Sequence, residues 1–108
     1  MKYFLVFKTE PFTTNAFYTA FRKDQYQIIG EKETVFLVEH KGENITLSEE
    51  EINYILGMAS VQKLKGIVDI THEVEFLTNF KGTHKEKMHQ FAWRMRNCFT
   101  RAFIKNEE

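Results

Sequence analysis

The chain is poor in the residues that staple or stiffen a fold. Its 108 residues include one cysteine, Cys98, one proline, Pro11, and five glycines. A lone cysteine closes no intrachain disulfide, and so little Pro and Gly excludes collagen-like and linker-like chains. Net charge is also missing, with fifteen Lys plus Arg against fifteen Asp plus Glu. That balance excludes a uniformly basic coat and an acidic mimic of nucleic acid. Long apolar runs are absent too. The N-terminal run Tyr3–Phe7 is too short for a signal-peptide core, and no stretch nears the roughly 18 apolar residues of a membrane span. A soluble protein with a cytoplasmic location and no membrane partner is the expectation.

Hydrophobic residues are plentiful. They make up 43% of the chain, with aromatics at 15% and eleven phenylalanines among them. This is enough apolar surface for one self-sufficient domain over residues 1–108, and too short a chain for two.

Periodicity divides the chain. Tyr3–Phe7 suits a strand buried on both faces. Phe12, Ala16, Phe17, Ala20 and Phe21 recur at helical spacing from about Thr13 or Thr14, although Phe17, Thr19 and Phe21 also fit one side of a strand. Tyr26–Ile29 and Thr34–His40 are β-prone runs joined by a glycine-containing loop, so they should pair antiparallel. Asn44–Leu47 follows as a possible strand stub.

Ser48 and Glu51 have capping-box spacing, with Leu47 and Ile52 at the positions of a hydrophobic staple. The helix they start carries Ile52, Ile55, Leu56 and Ala59 on one face and is expected to end near Lys65-Gly66. From Ile67 to Leu77 the period switches to two, with Val68, Ile70, His72, Val74 and Phe76 on one side of a long strand. Thr83 and Glu86 repeat the capping spacing. Met88, Phe91, Ala92, Met95, Phe99, Ala102 and Phe103 then form the stripe of a closing helix, with Cys98 near its margin as a buried, inert thiol. The fold class is α+β: an antiparallel sheet with helices packed on it, in the order of a ferredoxin-like βαββαβ unit plus a C-terminal helix.

Signatures of catalysis are few. No glycine-rich nucleotide loop, nucleophile elbow or His-Glu-x-x-His is present, and His84 and His89 stand five apart rather than the four a helical metal pair needs. No catalytic residue, metal site or cofactor is assigned. His72 reads as a structural histidine on the apolar side of its strand. The third strand, Glu33-Thr-Val-Phe-Leu-Val-Glu39, lacks the glycines and paired aromatics of an RNA-recognition domain.

The distribution of charge is more informative than its total. Residues 1–80 carry a net −4, residues 81–105 a net +6, and Glu107 and Glu108 restore zero. The molecule is polarised, and the basic pole is the closing helix. Projected at about 100° per residue, Lys87, Gln90, Arg94, Asn97, Arg101 and Lys105 share a face away from the apolar stripe. Trp93 falls about 150° from the stripe's centre on the same projection.

A water-facing tryptophan has little structural use, whereas tryptophan and arginine dominate binding hot spots. Trp93, Arg94, Arg96, Asn97, Arg101 and Lys105 therefore form the candidate binding surface of a small non-enzymatic module. Its expected partner is an acidic macromolecule, either nucleic acid or a protein that handles nucleic acid. Aromatic rings interleaved with cations are one way to hold a single strand. The alternative is a protein-binding inhibitor, adaptor or regulatory subunit, its simplest form being a homodimer through Trp93 and Ile104. Lys81, Thr83 and Lys85, at the start of the helix, mark a second, possible anion site.

Overall fold

The first strand, β1 (Tyr3–Phe7), forms where the sequence packs aromatic and branched residues without a break. It is buried on both sides, so both faces of the sheet around it must be covered. The computed structural model describes residues 2–8, 17–19, 21–22, 24–41, 47–62, 64 and 66–107, with side chains as far as residue 101. Three further strands complete a sheet: β2 (Tyr26–Lys32), β3 (Val35–His40) and β4 (Gly66–Asp69). The strand order is β2-β3-β1-β4, with every neighbouring pair antiparallel. Among the described residues, the helices with defined bounds are α1 (Glu49–Ser60), α2 (Thr71–Asn79) and α3 (His84–Glu107).

Register assigns the faces. Leu5 pairs with Leu37 and with Val68, and these residues point into the main core with Tyr3, Phe7 and Val35. All three helices close this side: Ile55, Leu56 and Ala59 come from α1, Val74 and Leu77 from α2, and Phe91, Met95, Cys98 and Phe99 from α3. Val6, paired with Phe36, points the other way. There Val6, Phe36 and Val38 meet Phe17, with Phe4, Phe21 and Ile28 at the margin. Residues 17–19 are helical and the Phe21 N–H donates to the Phe17 carbonyl at 2.8 Å, so the helical reading of this stretch holds over its described part. Its proposed start at Thr13 or Thr14 lies outside the described residues, as does most of the stub Asn44–Leu47. Helical segments cover both faces of the antiparallel sheet in this α+β fold: α1, α2 and α3 on one side and residues 17–19 on the other.

The capping chemistry of α1 is formed as expected. The Glu51 N–H donates to Ser48 Oγ and the Ser48 N–H donates to Glu51 Oε1, both at 3.1 Å. This helix nevertheless stops at Ser60, five residues short of the expected end. Gly66, taken as its stop signal, instead starts β4 with φ 87°, a left-handed conformation that suits glycine.

The larger departure concerns residues 67–77. The long strand is a short strand, Gly66–Asp69, followed by α2. Asp69 Oδ1 accepts the Thr71 N–H at 2.8 Å, and Thr71 Oγ1 accepts the Tyr3 N–H at 3.1 Å, which anchors the helix start to β1. Ile70, Val74 and Leu77 are buried, and their spacing of four and three satisfies a helix as well as the alternation satisfies a strand. His72 is consequently not on an apolar face. Its side chain is 91% exposed on the outer side of α2, so the structural role assigned to it is corrected.

α1 approaches the sheet over Gly30. A Cβ at that position would stand 2.7 Å from Ile52 Cγ2 and 2.8 Å from Leu56 Cδ1. Gly30→Val should therefore force α1 off the sheet and destabilise the protein by about 1–3 kcal/mol, read as a lowered midpoint in chemical denaturation. An unchanged midpoint would contradict this packing.

Candidate binding groove between α2 and α3

Over its described side chains, α3 turns one apolar side to the core. Phe91, Met95, Cys98 and Phe99 are buried against the sheet and α1, with Phe99 edge-on to Phe7 at 6.3 Å and Phe91 beside Tyr54 at 6.3 Å. Tyr54 also donates its hydroxyl to the Met88 carbonyl at 3.4 Å, and Lys87 Nζ lies 3.5 Å from Glu51 Oε2. These contacts fix the rotation of the helix about its axis. Once that is set, the 3.6-residue period leaves Trp93 no place in the core. The indole is 62% exposed.

The same rotation turns Arg94 and Arg101 toward α2. The Arg94 guanidinium sits 4.0 Å above the Phe76 ring, a cation–π contact, and Phe76 in turn packs on Phe80 at 5.3 Å. One turn back along α2, Glu73 Oε1 lies 3.5 Å from Arg101 Nη2. Residues 73 and 76 of α2 thus face residues 101 and 94 of α3, as an antiparallel pair of helices requires. Between them runs a groove of about 560 Å³ lined by Glu73, His89, Gln90, Trp93, Arg94, Asn97 and Arg101.

Four of the six predicted binding residues, Trp93, Arg94, Asn97 and Arg101, meet in this groove. Arg96 does not. It borders a separate, mostly apolar depression with Met58, Val61, Leu64 and Phe99, on the α1 side of α3. The side chain of Lys105 lies outside the described residues, as does Ile104 of the proposed homodimer seam. At the start of α3, Thr83 Oγ1 accepts the Glu86 N–H at 3.2 Å and acts as the cap, while Lys81 and Lys85 are exposed on either side of it. Glu86 supplies negative charge to the first turn, as the helix dipole favours.

Glu73, which lines the groove, and Phe76, which holds Arg94 beside it, were missed in the sequence because they were read into a strand. The spacing of Ile70, Val74 and Leu77, with Phe76 and Phe80 four apart, was the available signal for a helix there.

Beneath the groove, Cys98 Sγ donates to the Asp69 carbonyl at 3.6 Å. Burial pushes its thiol up to about 11, and the nearby Glu73 carboxylate adds to the shift. At neutral pH it is a thiol rather than a thiolate, which makes it a poor nucleophile. Among the described residues no three His, Cys, Asp or Glu side chains gather as a metal site would need, and no helix is long and apolar enough to cross a membrane. No protein-family model, curated protein or solved structure matches the chain.

The Cys98 environment has a pH signature. A thiol raised in the folded state favours folding while protonated, so its contribution is full below its ordinary value near 9 and fades as pH rises through about 11. Alkylation of the native protein should accordingly be slow at neutral pH, with a midpoint near pH 11 that drops toward the ordinary value in denaturant. A native midpoint at or below 9 would contradict the burial.

Proposed function

We propose that the protein is a non-enzymatic binding module that holds single-stranded nucleic acid along the α2–α3 groove. The observation that carries this reading is Trp93, 62% exposed, standing in one groove with the guanidinium groups of Arg94 and Arg101. Each part has a matching job. An exposed indole offers a stacking surface to a base, whatever the base is. The two guanidinium groups, seven residues apart on one helix, can meet successive backbone phosphates. Asn97, one turn from Trp93, adds an amide able to donate and accept.

A single strand fits better than a duplex because stacking on Trp93 needs an unpaired base. The basic pole of an otherwise acidic body gives the field that draws a polyanion to this face rather than elsewhere. An acidic protein surface is the competing partner, since Arg101 already receives a carboxylate, that of Glu73, within the molecule.

Titration of a mixed-sequence single-stranded oligonucleotide, followed by quenching of Trp93, tests the proposal. The logarithm of the association constant should fall linearly with the logarithm of salt concentration, by about 0.7 per phosphate engaged. Trp93→Ala should weaken binding by about 1–3 kcal/mol while shifting stability by no more than about 0.5 kcal/mol. Absence of binding at low salt would overturn the nucleic-acid reading in favour of a protein partner.

A further inference from the structure

Glu73 does not belong on a surface that binds phosphate alone. Its side chain is only 9% exposed, yet it lines the groove beside Trp93 and puts a negative charge where a polyanion is meant to lie. The first turn of α2 favours a carboxylate through the helix dipole, and that holds equally for an outward-facing one. The inward position brings the carboxylate to the floor of the groove.

Its hydrogen-bonding capacity is only partly used. Arg101 Nη2 approaches Oε1 at 3.5 Å, the outer limit for such a contact, and Arg101 itself is 70% exposed. The nearby Cys98 thiol gives its one proton to the Asp69 carbonyl rather than to this carboxylate. A carboxylate offers about four acceptor positions, so it can take further donors from the groove. In a nearly dry setting those bonds are stronger than they would be in water.

We infer that Glu73 makes the groove selective for nucleobases bearing an exocyclic amino group, cytosine and adenine among them, over thymine and uracil. The inference rests on the single-strand reading above. A base stacked on Trp93 directs its edge to the groove floor. Cytosine N4 and adenine N6 donate to a carboxylate. Thymine and uracil present their N–H between two carbonyl oxygens, and both oxygens repel the carboxylate. Arg101, released from Glu73, moves to a phosphate, so the base edge replaces the guanidinium as the donor to Glu73.

The test compares oligo(dC) and oligo(dT) of equal length at one salt concentration, since the two pyrimidines stack over similar areas and differ in this edge. Wild type should bind oligo(dC) roughly tenfold more tightly. Glu73→Gln, whose amide can both donate and accept, should bring the ratio close to one. Glu73→Asp, which keeps the charge, should preserve the direction of the preference. Equal binding of both oligomers by wild type, or an unchanged ratio in Glu73→Gln, would overturn the inference and leave the single-strand reading intact. If neither oligomer binds, both fall. A purely structural Glu73 would change both affinities together and leave the ratio alone, which also overturns it.

Discussion

The seating of the α3 apolar stripe on the sheet is the constraint from which the rest follows. Phe91, Met95 and Phe99 join Leu5, Phe7 and Leu37 in one buried core, with Phe99 edge-on to Phe7, and their burial fixes how the helix is turned. A helix has one rotational setting once such a stripe is buried, so the residues on its far side are positioned by the core and not by any contact of their own. Trp93 is outward because Phe91 and Met95 are inward. The groove exists because α2 ends up alongside the same helix, its own Val74 and Leu77 buried in the common core.

Electrostatics then shapes what the packing presents. The two arginines that face α2 are each engaged differently, Arg94 by an aromatic ring and Arg101 by a carboxylate. A ring leaves the guanidinium charge unneutralised and its edge donors free, whereas a carboxylate occupies them. The groove is therefore graded along its length, more available for anions at the Arg94 end and partly self-occupied at the Arg101 end. The Glu73–Arg101 pair has little hold on its own, since its contact is long and the arginine is largely in water although the carboxylate is buried.

Much of this was legible in the sequence. The burial of β1 on both faces, the capping box of Ser48 and Glu51, the apolar stripe of α3 and the outward setting of Trp93 all follow from periodicity and local chemistry. What was not legible has two causes. In residues 67–77, β-branched and aromatic residues alternate while Ile70, Val74 and Leu77 also match a helix. Tertiary anchoring decided between the two periods, through Asp69 and Thr71 holding the helix start against Tyr3. The end of α1 was misplaced because Gly66 was given a stop role, whereas its left-handed φ serves the entry to β4 six residues beyond the real end. Misreading α2 hid its contribution to the groove, because Glu73 in the lining and Phe76 beneath Arg94 acquire meaning only as members of a helix packed against α3. Arg96 was grouped with Trp93 as a flanking cation of the projected face. Projection ignores which neighbouring element lies beside each flank, and here the flanks face α1 and α2 separately.

The account turns on whether the indole of the free protein faces water. Trp93 is the chain's single tryptophan, so its fluorescence reports on that one side chain without ambiguity. Emission at the red, water-exposed end of the indole range, with free access to acrylamide in a sample shown by light scattering to be monomeric, is the predicted result. Blue-shifted emission shielded from acrylamide in that same monomer would mean the ring is enclosed by its own chain, and would contradict the placement of a ligand groove on α3.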